Sequence, residues 1–335
     1  MLESEWARRL LPERGEAEHA GATFENYVTI FDFGFAPQGI ALHQSLVRHG
    51  GNFRLWIISM DLQLTQLLQA LDLQNVVILD LHEVENSRLR EAKLNRTPRE
   101  YCWTLTPFTF DFVFDRDQNV RRVTYIDADV FLLSDVSSVF REFEGSGKSV
   151  QITEHAYSPE LDASVAHGTF CVQFLTMSRL GSEMVRDEWQ AQCLEWCFGW
   201  VEPGRFGDQK YLDEWPKKYQ DSVHISSGRG SFLGPWNSTR FPHSEALMYH
   251  FHQLRINFAP YTVSLGNYPL PEVLVQAVYW PYVEVLRSNY SLMRQAGFEA
   301  REQIGQVSGY QRFIRFISTF ADPVYKRVQR VLKRS

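Results

Sequence analysis

VTYIDADVFLLS, residues 123–134, sets two aspartates between two apolar runs. Val123, Thr124, Tyr125 and Ile126 form a β-branched and aromatic run that predicts a buried strand. Asp127 and Asp129 close that run, and the apolar stretch 130–133 (VFLL) follows at once. Carboxylates wedged between greasy segments carry a desolvation cost, which a positive partner offsets. Alternation puts Asp127 and Asp129 on one side of an extended segment, with Ala128 pointing away. Two hard oxygen ligands converging at a strand end suit a divalent cation that also holds phosphate oxygens. Asp also serves as a cap or turn residue at such positions, but apolar flanks on both sides are unusual for a solvated turn.

Upstream of this stretch, 27–31 (YVTIF) predicts a strand and 39–49 a helix that buries Ile40, Leu42 and Leu46. A second strand is expected at 53–60 (FRLWIISM), a helix at 62–71 and a third strand at 76–79 (VVIL). This alternation is the signature of βαβ units on a mostly parallel sheet, where ligands bind beyond the carboxyl ends of the strands. Asp32, Asp61, Asp80 and Asp127 all fall at or just past such ends. One Asp there is an ordinary turn residue; four make an edge able to hold polar ligands. Phe33-Gly34-Phe35 offers a single glycine after the first strand, which argues against a nicotinamide or flavin site, and no P-loop is present. A bound nucleotide would therefore have its phosphates held by metal and side chains. The basic stretch 89–109 carries Lys93 and Arg96, which could meet phosphates or sugar hydroxyls or form a solvated helix face. A helix is expected over 103–114. Tyr101, Trp103 and Phe108 could floor a base or sugar, or belong to the core.

Downstream, a turn at 145–148 leads into a strand, VQIT, that ends the stretch 145–153; a further strand is expected at 168–175 and a long helix at 182–198. The loop 204–212 (GRFGDQKYL) offers Asp208 and Gln209 before a helix, able to face a substrate, with Asp208 also suited to cap that helix. The Gly-rich loop 226–237 ends in Pro235-Trp236-Asn237, where a Trp at the rim would stack on sugar. In Met248-Tyr249-His250-Phe251-His252 the two imidazoles would share a strand face, and a metal role is expected for one of them.

At 335 residues, 44% hydrophobic and 14% aromatic, the chain can bury a sizeable core as one large α/β domain with additions. A net charge of -6 argues against a general nucleic-acid binder. Cys102, Cys171, Cys193 and Cys197 have no C-x-x-C spacing and read as core residues. Without a signal pattern, a reducing cytoplasmic setting is expected, and no apolar run reaches the roughly 18 residues of a membrane span. The expected organisation is a leader at 1–22, a transferase domain at 23–265 and a helical C-terminal extension at 266–335. In 313–335 basic and apolar residues interleave, as in an amphipathic helix lying on an anionic membrane surface or a solvated terminus.

The motifs YVTIFDFGFAPQGIAL, EYCWTLTP, YIDADVFLLSD, GRFGDQKYLDEWP, GPWN and YHFHQLR, in this order from Tyr27 to Arg255, resemble the GT-A nucleotide-sugar glycosyltransferases. Among these the chain is most similar to the family 8-like group and bacterial polysaccharide-cluster transferases. The resemblance implies a Rossmann-like, mainly parallel sheet flanked by helices and a metal-dependent transfer, with retention, from a nucleotide sugar, UDP-sugar above all. The acceptor would be a glycan or lipid-linked saccharide, and the enzyme cytoplasmic or peripheral on the inner face of the membrane. It assigns Asp127 to ribose, donor sugar and cation, Asp129 as the main carboxylate ligand, and His250 as the third metal position. Thr29 and Asp32 would touch the nucleoside, and Asp208 and Gln209 would face donor sugar and acceptor. The family's glycine three residues after the metal histidine is Gln253 here, and Arg255 would replace a missing lysine at the pyrophosphate. The family's arginine in the helix before the Asp-x-Asp strand is replaced around Trp103.

The residues fit this chemistry on their own terms. Charge developing on a leaving pyrophosphate is stabilised by a cation and nearby positive groups. Mg²⁺ would satisfy the carboxylates, whereas an imidazole ligand favours Mn²⁺. Should the reaction invert, Asp208 is the first candidate for a general base. The other readings are a sugar-1-phosphate nucleotidyltransferase and a catalytically silent sugar-binding protein of the same fold. The first lacks the expected Gly-rich basic loop after strand one. An Asp-x-Asp phosphatase is disfavoured because the motif lies far from the N-terminus.

Overall fold

The computed structural model describes residues 24–258 and 260–299. The expected leader at 1–22 and basic tail at 313–335 lie outside these residues. Seven strands form the central sheet: β1 (Glu25–Phe31), β2 (Phe53–Ser59), β3 (Val76–Asp80), β4 (Arg122–Ile126), β6 (Val150–Glu154), β7 (Phe170–Ser178) and β8 (Val223–Ile225). Their order across the sheet is β3-β2-β1-β4-β7-β6-β8. Pairings along it are parallel except at β7, which runs antiparallel to both β4 and β6. The mixed, mainly parallel sheet flanked by helices is the architecture that the alternating pattern of the sequence predicts.

β1 is buried along its whole length, as a strand covered on both faces must be. Val28 and Ile30 enter one core cluster with Trp56 and Tyr125, while Tyr27 and Phe31 enter the other with Ile40 and Leu46. The helix Ala36–His49 starts three residues earlier than the apolar pattern suggested, because Pro37 lies in its first turn, where a missing N–H costs nothing. Gly39 lets this helix approach β1 closely: a Cβ there would sit 2.2 Å from Cζ of buried Phe31. The helix Leu62–Leu71 has the expected bounds. Asp61 caps it by accepting the Leu64 N–H at 2.8 Å, and it also takes the Phe33 N–H. Asp80 likewise accepts the His82 N–H and the Thr65 hydroxyl. These two aspartates are therefore engaged as caps, and the four-carboxylate edge narrows to Asp32 and Asp127.

The single helix expected over 103–114 is divided. Pro98–Leu105 and Thr109–Arg116 are α-helical, and Thr106–Phe108 is a 3₁₀ turn around Pro107, whose ring cannot continue the α-helical hydrogen bonding. The long helix ends at Glu195 rather than at 198, with Trp196 already extended. Trp196 and Phe198 instead pack edge-on, and Phe198 stacks under Trp200 and the Arg96 guanidinium.

A second sheet has three strands, β5 (Val130–Leu132), β9 (Phe232–Leu233) and β10 (Met248–His250), in the order β5-β10-β9. The apolar run after Asp129 thus forms a strand of its own, and β10 pairs antiparallel to it with His250 opposite Val130. The hairpin β11 (Arg255–Phe258) and β12 (Tyr261–Ser264) follows. The helix Trp280–Gln295 then lies on Ala36–His49, where Asn289 accepts from Gln44 and donates to the Pro37 carbonyl.

Gly39→Ala is expected to lower stability by about 1–3 kcal/mol through overpacking against Phe31. Urea denaturation followed by far-ultraviolet circular dichroism measures this, and an unchanged midpoint would contradict the close approach.

Candidate active site

β1 has β2 on one side and β4 on the other, so the chain reverses its winding between β1 and β4. Crevices at such switch points, beyond the carboxyl ends of the strands, are where α/β sheets bind ligands. Asp32 follows β1 and Asp127 follows β4, at this place. Asp127 is held by its backbone N–H, which donates to the Gln173 carbonyl at 3.2 Å, and by Oδ1, which accepts the Tyr125 hydroxyl at 2.8 Å. Asp129 is fixed from the other sheet, its carbonyl accepting the Phe251 N–H at 2.9 Å.

The β5–β10 pairing carries His250 onto these carboxylates. Its Nε2 lies 3.0 Å from Asp129 Oδ1 and 3.8 Å from Asp127 Oδ2, and its Nδ1 lies 3.0 Å from Gln173 Oε1. Among the described residues, Asp127, Asp129 and His250 form the one group able to hold a metal ion. Two carboxylates and an imidazole suit Mn²⁺ or Mg²⁺, with the imidazole favouring Mn²⁺. His252 stands in the turn after β10 with its ring centroid 5.7 Å from that of His250. Of the two imidazoles, His250 is the one inside the group.

Electrostatics separates the two aspartates. Burial pushes the Asp129 carboxyl up, but the charge and hydrogen bond of His250, then His252 and Arg255, outweigh it and hold the group down at about 2. Asp127 is raised, by burial first and then by its like-charged neighbour, against the pull of His250. Burial alone would depress the His250 pKa, yet Asp129 and Asp127 hold it well above the usual imidazole range. His252, buried and facing a charged His250, is pushed down to about 4.

Asp208 comes to the same place. It is 6% exposed, and burial together with the Asp127 charge raises its carboxyl to about 7, opposed by hydrogen bonds from Thr106 and nearby backbone N–H groups. It does not cap a helix: the following 3₁₀ turn Lys210–Glu214 begins after Gln209 and has no side-chain cap. Gln209 is tied down by its Nε2, which donates to the His167 carbonyl at 2.7 Å. Cys102 lies among Asp127, Asp32 and Asp208, whose charges raise its thiol further after burial has done so. The sequence pattern leaves this cysteine in the core; its helix, Pro98–Leu105, carries the only available signal.

The other expected contacts are distributed differently. Thr29 is fully buried within β1, and Asp32 is raised by burial and by Asp61, with one carboxylate oxygen unpartnered. Lys93 pairs with Glu85 at 3.5 Å and lies over the Tyr101 ring. Arg96 donates to the Leu194 carbonyl and covers Phe198. These two cations hold helices together, and their partners lie outside the Asp-Asp-His group. Arg99, not singled out by the sequence pattern, is the basic residue of that stretch that feels the site: it bears electrostatically on His252 and Arg255. Arg255 acts on Asp129, and among the described residues neither arginine is in an ion pair. Trp236 does not stand at a rim. At 4% exposure it donates to the His155 carbonyl and meets the His250 ring edge to face, 5.3 Å away, as a wall behind that imidazole. Gln253 adopts φ 66, a left-handed conformation that glycine takes without strain, so the backbone keeps the turn where the resembling family has glycine.

The fold is shared with LgtC, in the crystal structure of one of its active-site mutants: TM-score 0.50, 11% identity, covering 78% of this chain and 95% of that one. The chain has the GT-A fold. Another structure presents LgtC as a galactosyltransferase in complex with donor and acceptor sugar analogs. No protein-family model matches the chain. It is 31% identical over 198 residues to the uncharacterized protein YfnD of Bacillus subtilis (strain 168), covering 58% of this chain and 62% of YfnD. It is 28% identical over 218 residues to YfnF of the same organism, covering 63% of this chain and 71% of YfnF. The chain thus spans less than two thirds of the length of YfnD.

Asp208 gives a stability prediction whose sign follows from its raised pKa. Below pH 4 the carboxyl is neutral in both folded and unfolded chains and contributes nothing. As pH rises from 4 to about 7 the unfolded chain ionises freely while the folded one resists, so stability is lost; above 7 the deficit is constant. Its ceiling is roughly 4 kcal/mol, from about three pH units at ~1.4 kcal/mol each. Asp208→Asn is therefore expected to melt above the natural protein at pH 8 without divalent metal, and to lose that advantage at pH 4. Equal differences at both pH values would contradict the buried, repelled carboxyl.

Proposed function

We propose that this protein is a metal-dependent glycosyltransferase that moves a sugar from a nucleotide diphosphate, with UDP-sugar the expected donor, to a glycan or lipid-linked saccharide. The observation that carries the reading is the convergence of Asp127, Asp129 and His250 at the switch point of the sheet, where the imidazole lies 3.0 and 3.8 Å from the two carboxylates. A surface cluster of acids arises easily; two carboxylates and an imidazole brought together from the ends of β4 and β10, with aromatic walls behind them, do not.

Mn²⁺ or Mg²⁺ held by this group would supply charge stabilisation for a departing pyrophosphate. The chain's own contribution is positional and electrostatic. Arg255 supplies positive charge beside Asp129, and Arg99 adds to it near His252 and Arg255, where the leaving phosphates would lie. Asp32 and Asp127 face the crevice that would take the nucleoside and ribose. Asp208 and Gln209 would face donor sugar and acceptor. Asp208, its carboxyl raised by burial, can accept a hydrogen bond from a sugar hydroxyl or, in an inverting reaction, its proton. Retention is the outcome the resemblance favours. The basic, apolar-interleaved sequence 313–335 fits peripheral contact with an anionic membrane carrying such acceptors.

Thermal melting with a panel of nucleotide sugars, with and without Mn²⁺, tests the proposal. A ligand bound only by the folded state stabilises by about 2.7 kcal/mol at a hundredfold excess over Kd. One nucleotide sugar is expected to raise the midpoint only when Mn²⁺ is present. Asp129→Ala should abolish that shift and lower sugar transfer by roughly 100-fold or more. Donor-dependent shifts that ignore both metal and Asp129 would refute the metal-dependent reading.

A further inference from the structure

Gln173 is fully buried on β7, the one reversed strand of the central sheet, and it touches both halves of the metal group. Its backbone carbonyl accepts the Asp127 N–H at 3.2 Å, and its side-chain Oε1 lies 3.0 Å from His250 Nδ1. We infer that Gln173 is a positioning residue for metal binding: its amide oxygen fixes a proton on His250 Nδ1 and so leaves Nε2 as the ligating nitrogen. The inference rests on the cation site proposed above.

The chemistry allows one arrangement. Nε2 is the nitrogen that faces the carboxylates, at 3.0 and 3.8 Å, and ligation there requires its lone pair. The remaining ring proton must then be on Nδ1 and needs an acceptor, because the ring is sealed between Trp236 and β7. A reversed amide would set an NH₂ group against Nδ1 and drive the ring proton to Nε2, where it would block the cation. The Gln173 Nε2 atom, buried without a partner among the described residues, is what the oxygen-first orientation leaves over. Cys171, two residues earlier on the same strand, bears on the imidazole electrostatically. Metal-bound histidines commonly have an acceptor at the second nitrogen, more often a carboxylate or backbone carbonyl than an amide side chain.

The test uses the full chain and two variants. Gln173→Met keeps the volume and removes the acceptor; Gln173→Glu keeps an acceptor oxygen in either protonation state. Mn²⁺ affinity is read from the loss of the free-ion electron paramagnetic resonance signal, on samples shown to be folded by circular dichroism. The His250 Nδ1–H is read as a slowly exchanging downfield proton by ¹H–¹⁵N correlation in metal-free protein, at a pH raised until the imidazole is neutral and carries a single ring proton. Gln173→Met is expected to weaken Mn²⁺ binding by about 10–100-fold and to lose the protected proton, while Gln173→Glu restores both. Natural affinity in the Met variant, or equal losses in both variants, would overturn the inference. If the natural protein itself binds neither Mn²⁺ nor Mg²⁺, the metal reading of the site falls. The Nδ1–H signal then decides the part of Gln173 alone: its persistence in Gln173→Met overturns that part, and its loss upholds the fixed proton.

Discussion

Two carboxylates one residue apart, drawn out of bulk water, repel each other unless a positive group stands between them. In this protein that group is His250, and much of the fold can be read as the means of bringing it there. Asp127 and Asp129 follow a strand of the large sheet, whereas His250 belongs to the small one. The apolar residues 130–132 continue directly from the second aspartate and pair with β10, so the two sheets are joined at the point of greatest electrostatic cost. Offsetting charge at close range is what makes such burial tolerable.

The surrounding structure divides into parts that hold this group and parts that keep its crevice open. β7, antiparallel to both neighbours, supplies the backbone carbonyl that seats Asp127 and the Gln173 side chain that meets the imidazole. Trp236 closes the back. The winding reversal between β1 and β4 places Asp32 and Asp127 at the ends of neighbouring strands. Pro107 interrupts the helical run before β4 with a 3₁₀ turn.

Legibility in the sequence followed the range of the interactions. Strand and helix positions in the segment from β1 to β3 were readable because burial on both faces imposes largely apolar runs on β1 and β2. Capping gave the helix Leu62–Leu71 its limits through Asp61. The same local chemistry explains the misreadings. Asp61 and Asp80 look like Asp32 in sequence, yet they satisfy neighbouring N–H groups and so do not serve the crevice. Trp236 follows a Gly-rich loop, which suggested a rim, but the loop folds inward and buries it. Arg96 and Arg99 are three residues apart and chemically alike. The helix bearing Arg99 turns it toward the site, while Arg96 is spent on Phe198 and the Leu194 carbonyl.

The sequence by itself determined the sheet-forming strands, the paired aspartates and the presence of two imidazoles downstream, because each depends on a side chain and its near neighbours. Only the tertiary structure decided which imidazole joins the carboxylates and that Gln173 belongs to the same place. Those outcomes depend on strand order, register and the reversal of β7. They bring together residues far apart in the chain, and no local preference encodes which of them will meet.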